Sequence, residues 1–338
     1  MSKWCDKTQN RVHANTTLET PRTKQTQTPE PVNTEIQNQI AANELDNPSP
    51  SDATNALVKE NQLFLQCIKY LKSEKLRLPT LPDISVKIRR AIRDNRANSA
   101  RISKVVQLDP AITARLIKIS NSPLYMGRRK IESCPEALTR LGLKAAQDLI
   151  TSFALKGVFQ AKSKVIQRHM HELWSHSSYV GAICAILAHK TPGFDPDRAM
   201  LAGLVHDIGT VPILTLADKH PELAENPKHL KNTIEKLRGQ LGAMILRKWE
   251  FPEDFADIAL HADDWHRDEN DKADYTDLVI ISQLHSFVGQ VDIHKYPRMD
   301  ELPAYKKLVS GNLDVETSMD ILDSAKDEIW QIQKMLSA

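Results

Sequence analysis

The chain has 338 residues, of which 41% are hydrophobic and 26% charged, with a formal net charge of +2. Its mean hydropathy is −0.41, and apolar runs such as Leu278 to Ile281 are far too short to cross a bilayer, which argues against a membrane-embedded protein. Four cysteines, Cys5, Cys67, Cys134 and Cys184, show no CxxC spacing, which argues against a disulfide scaffold or Cys-rich metal ribbon and fits a reducing compartment. The opening MSKWCDKTQN has no apolar stretch of the signal-peptide kind, so a cytoplasmic location without membrane attachment is the expectation.

Charge is distributed unevenly. Lys69 to Lys130 holds 16 Lys/Arg against 4 Asp/Glu, a balance of +12, whereas Glu250 to Ala338 holds 8 against 20, a balance of −12. The two ends can fold against each other, or the basic half can meet an acidic partner such as nucleic acid, a nucleotide or a protein.

Residues 1–55 are rich in Thr, Gln, Asn and Pro and poor in periodic apolar positions, which predicts a disordered polar tail. From near Asn55 a helix is expected, because Leu57, Val58, Leu63, Phe64, Cys67, Ile68 and Leu71 recur at helical spacing; it ends before LRLPTLPD. Ile84, Ile88, Ala91 and Ile92 form one stripe, and Ser99 is the expected cap of a second helix through Val106. Asp109-Pro110 opens a third, which Asn121-Ser122-Pro123 stops. Further helices are expected over Glu136 to Leu141, Lys144 to Phe159, Val165 to Lys190, Asp197 to Ile208, Asn232 to Trp249, Asp254 to His261 and Asp274 to Val288. Gln290 to Gly311 reads as irregular, and Val315 to Leu336 as one closing helix. No strand alternation is evident, so the fold class is all-α.

One stretch concentrates chemistry. LAGLVHDIGTV, from Leu201 to Val211, sets His206 beside Asp207 at the end of a short apolar helix, with Gly209 placed to terminate it. Adjacent side chains on a helix diverge by about 100°, so both reach one metal only over a helix end or a bend.

The surrounding motifs resemble the HDOD domain, a relative of the HD-type metal-dependent phosphohydrolases. They are LRLPTLPDISVKIRRAI, QLDPAITARLIKISNSPLY and IESCPEALTRLGLKAAQDLI, then LWSHSSYVGAICAILAH, AMLAGLVHDIGTVPIL and LGAMILRKWEFPEDFADIALHA, together covering about Leu76 to Val288. The resemblance implies a multi-helical HD-like bundle with an N-terminal helical subdomain. Its N-terminal helical part would occupy 56–160 and its HD-like part 161–288, with a C-terminal helical extension over 289–338. It also implies a regulatory or output role in bacterial signalling.

The same resemblance assigns candidate metal ligands. The first-helix His of HD enzymes matches His176, in register with Val180, Ile183 and Leu187; His206 and Asp207 match the pair; and the late Asp is replaced by His285, in line with Leu278 and Ile281. Arg238 stands where relatives often carry a histidine, four residues before Gly242. A common HH pair is reduced to His261-Ala262, and Thr210 replaces the lysine of cyclic-dinucleotide-cleaving relatives. Asp207 is then the one carboxylate at a matched position, too few for a dinuclear centre. A mononuclear site of His176, His206, Asp207 and His285 would suit Zn or Fe; the other reading is a buried polar network that fixes helix packing, with no cofactor. His261 and His266, flanking Asp263 and Asp264, are expected on an exposed acidic loop.

Partner contacts have their own candidates. Asn121 and Tyr125 could line a groove, although Asn-Ser-Pro also serves as a helix stop. Arg128, Arg129 and Lys130 form a basic run suited to phosphate or acidic side chains. Arg115 and Lys118, on the second of two short helices, would face phosphates in a helix-turn-helix. The expected function is a non-catalytic regulatory protein that binds a signalling protein or a nucleotide. The alternatives are an HD-type phosphohydrolase with an altered ligand set and, less favoured, a DNA-binding regulator.

Overall fold

In a computed structural model of the protein, the described residues are 62–94, 98–125, 127, 129–220, 226–288, 295–309 and 315–337. The expected disordered tail, the start of the first helix and Arg128 lie outside them. Among the described residues there are helices and no strands, as the absence of alternating patterns predicts.

The first helices are short and punctuated by local chemistry. They are α1 (Gln62–Lys72), α2 (Asp83–Arg93), α3 (Ser99–Val106), α4 (Pro110–Ser120), α5 (Cys134–Leu141) and α6 (Leu143–Leu155). Asp109 accepts from the Ile112 N–H at 3.0 Å with Pro110 inside the first turn, so α4 starts where the sequence says it should. For α3 the cap is one residue earlier than expected: Asn98, not Ser99, accepts from the Arg101 N–H at 2.9 Å. Gly142, at φ +82°, separates α5 from α6, and α6 gives way to a 3₁₀ turn at Lys156–Val158 instead of running to Phe159.

The second set is built on α7 (Lys164–Lys190), whose C-terminal half is buried on nearly every side. Such an all-round apolar pattern marks a core helix. Against it lie α8 (Pro196–Val205), α9 (Thr210–Lys219) and α12 (Tyr275–Phe287), while α10 (Pro227–Lys248) pairs with α11 (Glu253–His261). A Cβ on Gly203 would stand 2.7 Å from the Cα of Gly181, so the α7–α8 crossing depends on both glycines. Helix α9 is absent from the sequence-based expectation. Its Pro212 is the third helical residue, within the first turn where the missing N–H has no intrahelical partner to lose.

Two more corrections fall at the C-terminus. The segment read as irregular contains a 3₁₀ turn at Met299–Glu301 and α13 (Pro303–Val309), and the single closing helix is two, α14 (Val315–Ser324) and α15 (Lys326–Ser337), both packed on α7. The acidic half is partly neutralised from within. Arg267, 4% exposed, binds Asp274, Glu269 and Asp277, and Lys307 reaches Asp268 and Asp277.

The stretch Pro196–Lys219 is apolar and long enough to cross a membrane, but 94% of its most apolar window is buried inside the fold. The described residues lie in one compact unit, and α6 joins its two sets of helices by packing against α2, α4 and α8.

Candidate functional site at the HD turn

Between α8 and α9 the chain makes a turn over residues 206–209, the helix-end bend that adjacent His and Asp ligands require. Gly209 serves it differently from the expected helix stop. Its φ is −66°, which any residue adopts, but an added Cβ would lie 1.8 Å from the carbonyl O of Arg238 and 2.5 Å from the Gly242 N. The glycine lets α10 press its backbone against the turn, and this contact delivers Arg238 to the site.

Three of the four candidate ligands come together. Their donor atoms lie within 4.8 Å of one another: His176 from α7, and His206 and Asp207 from the turn. The His206 Nδ1 is 2.7 Å from the Gly203 carbonyl, to which its N–H donates, and this leaves Nε2 on the Asp207 side of the ring. Nε2 is buried without a hydrogen-bond partner among the described residues, 3.4 Å from Asp207 Oδ2. His176 Nε2 is 3.9 Å from the same oxygen, and its ring stacks on Phe287 at 5.7 Å. Burial, then the neighbouring His206, lowers the His176 pKa to about 4, so its imidazole is neutral at pH 7.

The structure does not bring His285 into this group. Its Nε2 meets Ser318 Oγ of α14 at 3.1 Å, and burial lowers its pKa to about 4. It is a neutral core histidine that ties α14 to α12.

Arg238 takes up the other side of Asp207. Its Nη1 donates to Asp207 Oδ1 and its Nη2 pairs with Asp263, which also accepts from Gln283 Nε2 at 2.9 Å. Burial on its own would raise the Asp207 carboxyl; His206, Arg238 and His176 hold it far below the usual carboxylate range instead. Sequence reasoning registered Arg238 as a departure but not as the partner of Asp207, and it left Asp263 on the acidic loop. Asp263, Asp264 and His266 are exposed, as expected, and Asp263 reaches Arg238 from the surface; His261 does not lie on the loop. His261 ends α11, half-buried and within 4.0 Å of Asp264 and Glu269.

Above these groups opens a cleft of about 990 Å³, with His176, Asp207, Arg238, Asp263 and Gln283 at its polar end. Val165, Ile166, Leu230, Ile234, Trp265 and Phe287 supply apolar walls. The donor set fits a single Zn or Fe ion on the Asp207 Oδ2 side, because two imidazoles and a carboxylate oxygen converge there. It does not fit a dinuclear hydrolytic centre, which needs bridging carboxylates.

The other candidate residues are engaged within the fold. Asn121 Nδ2 donates to the carbonyls of Ile117 and Ile131, and its Oδ1 accepts from the Ile131 N–H, so it closes the loop after α4 instead of lining a groove. Tyr125 donates its hydroxyl to Asp197 of α8. Arg129 pairs with Glu136, and Lys130 lies 3.8 Å from Glu132, both on the surface. Arg115, of the alternative helix-turn-helix reading, is half-buried and reaches the Phe153 carbonyl at 3.4 Å, while Lys118 is exposed.

An all-helical bundle whose adjacent His and Asp sit on a turn between two buried helices, with a third ligand from a long central helix, defines an HD-type domain. The HDOD domain profile matches residues 78–265. The chain belongs to the HDOD domain family.

A solved structure of a provisionally assigned metal-dependent phosphohydrolase from Shewanella amazonensis SB2B is 26% identical, covers 82% of this chain and 99% of its own, and superposes with a TM-score of 0.69. An HDOD domain protein of unknown function from Geobacter sulfurreducens, 22% identical, covers 83% and 99% with a TM-score of 0.60. An uncharacterised protein of Treponema pallidum (strain Nichols) is 28% identical over 193 residues, 52% of this chain. The match spans 36% of that relative's length.

Proposed function

We propose that this HDOD protein is a regulatory module that works by binding a partner, with an HD site that is structural and not hydrolytic. The observation that supports this is the clamp of Arg238 on Asp207 and Asp263. A guanidinium in contact with Asp207 already supplies the positive charge that a buried carboxylate needs. It would also offset part of the attraction that Asp207 offers an incoming dication, by roughly 7 kcal/mol at 5 Å separation and an effective dielectric of 20. The cleft can thus hold its shape without a metal, and its apolar walls offer burial to a partner's apolar group.

The test is turnover. Purified protein with added Zn, Fe or Mn is offered bis(p-nitrophenyl) phosphate and cyclic dinucleotides, beside the His206→Ala/Asp207→Ala double variant. The proposal expects no hydrolysis that separates the two proteins. Turnover abolished by the double variant would refute it.

The unpartnered His206 Nε2 favours a second reading, a single metal ion held by His176, His206 and Asp207 Oδ2. When bound, such an ion would supply Lewis-acid activation of water or phosphate. On that reading Arg238 orients Asp207 and the chain is a phosphohydrolase with an altered ligand set, which the same assay would reveal.

A further inference from the structure

The basic half of the chain converges on a cleft that shares no lining residue with the HD site. Helix α2 is strongly amphipathic, and its polar side sets Arg89, Arg90 and Arg93 within about one turn. They face the end of α10 and the turn Trp249–Pro252. An outer cavity of about 430 Å³ is lined by these three arginines with Lys248 and Glu250. An adjoining inner cavity of about 200 Å³ is lined by Arg89, Arg93, Lys144 and Arg198 with Asp148 and Glu250. Arg89, Arg93 and Glu250 form the wall common to both; with Asp254 on Arg198 and Asp195 beside Lys144, six cations meet four carboxylates.

Arg89 is held in place without a carboxylate of its own, whereas Arg198 pairs with Asp254 and Lys144 lies 3.9 Å from Asp195. Arg89 donates to the Trp249 carbonyl and lies 4.7 Å over the Phe251 ring, and Arg198 lies 4.8 Å over Phe255. Burial, followed by repulsion from Arg93, lowers the Arg89 guanidinium below its ordinary range. Arg90 and Lys248 are exposed. At the inner end Asp148 is 7% exposed, and its Oδ2 is buried with no hydrogen-bond partner among the described residues.

Glu250 is the odd residue. It follows α10 with φ +55°, its N–H bonded to the Arg247 carbonyl and the Phe251 N–H to that of Leu246. This is the left-handed helix end that glycine normally fills. Its carboxylate pairs with Arg93 at 3.1 Å, with the Arg93 and Glu250 side chains 62% and 71% exposed, a pair too solvated to explain the strained backbone by its stability.

We propose that this cleft binds a small phosphate-bearing molecule of the diphosphate type, and that the Glu250 carboxylate is a built-in stand-in which the ligand's phosphate displaces from Arg93. Guanidinium forks match phosphate oxygens in pairs. A phosphate monoester has a second pKa near 6, and Asp148 is raised to about 6 by burial, then by Asp195. The two can therefore share one proton, which would give the buried Asp148 Oδ2 the hydrogen-bond partner it lacks among the described residues. Only Arg89 and Arg198 are recessed, and the carboxylates Glu250, Asp148 and Asp254 flank the cations, which favours a compact ligand over an extended polyanion such as nucleic acid.

Calorimetric titration with pyrophosphate tests this, using the full chain, Glu250→Gly, and the double variant Arg90→Ala/Lys248→Ala, whose positions are exposed and can change without loss of the fold. Pyrophosphate is expected to bind the wild type with an affinity that falls as salt rises. The double variant should weaken binding about tenfold. Glu250→Gly should tighten it severalfold and raise the melting temperature, since strain and competing charge leave together. No binding of pyrophosphate by wild type or Glu250→Gly at millimolar concentration would overturn the proposal. So would equal affinity in the double variant, citrate binding as well as pyrophosphate, or binding confined to duplex DNA or to anionic lipid vesicles.

Discussion

The guanidinium of Arg238 is bound to Asp207, so the carboxylate of the HD pair faces a fixed cation on one oxygen and two imidazoles on the other. The pair is nearly buried, with side chains 19% and 8% exposed. Removing the cation should leave an uncompensated charge in the core. Arg238→Gln is expected to destabilise the fold by about 3–5 kcal/mol, whereas adding Asp207→Asn should recover much of the loss. Urea denaturation of the single and double variants measures the coupling; additive losses would show that the two residues do not act as a pair.

Gly209 is a packing requirement. Because its Cβ position is filled by the backbone of α10, Gly209→Ala must push α10 away from the turn. The expected cost is at least about 2–3 kcal/mol. Melting temperature reports it, and an unchanged value would show that α10 does not approach the turn as described.

The Tyr125–Asp197 contact gives a pH signature. Asp197 is raised from an ordinary 3.8 to about 7, chiefly by burial, while the Tyr125 hydrogen bond opposes the shift and Asp195 and Asp148 add to it. A folded pKa above the unfolded value means that the native state binds the extra proton. The favourable contribution is complete below about pH 4 and is lost as pH rises through 7. Asp197→Asn should therefore be more stable than wild type at pH 8, by a few degrees in Tm, with the gap closing toward pH 4. Thermal melts across that range check the sign.

Asn121 separates a structural role from a binding role. Its three bonds to Ile117 and Ile131 predict that Asn121→Ala costs about 1–3 kcal/mol. An Asn121→Ala protein of native stability that loses a partner would instead place the residue in a binding groove.

Much of this was legible in the sequence, and the losses have physical causes. Local signals carried the helices: Asp109-Pro110 starts α4 and Gly142 ends α5, as their chemistry requires. Helix α9 was hidden because Pro212 reads as a breaker unless its place in the first turn is known. The α14–α15 break at Ala325 carries neither Gly nor Pro to announce it.

The resemblance to HD proteins placed His176, His206 and Asp207 together, and helical periodicity added that His176 faces inward. Tertiary proximity is not written in periodicity. His285 was correctly inward, but inward there means Ser318. The Arg238–Asp263 pairing joins residues 25 positions apart across α10 and α11, and its one sequence signal was a cation standing where a ligand would be.

The central claim is that Arg238 has replaced metal chemistry at the HD turn. Elemental analysis of protein purified without chelator, for wild type and Arg238→His, tests it most directly. The account predicts substoichiometric Zn, Fe and Mn in the wild type and a gain of bound metal in Arg238→His, where a third imidazole would join His176, His206 and Asp207. Wild-type protein carrying one tightly held ion per chain, whose removal abolishes phosphodiester hydrolysis, would contradict it.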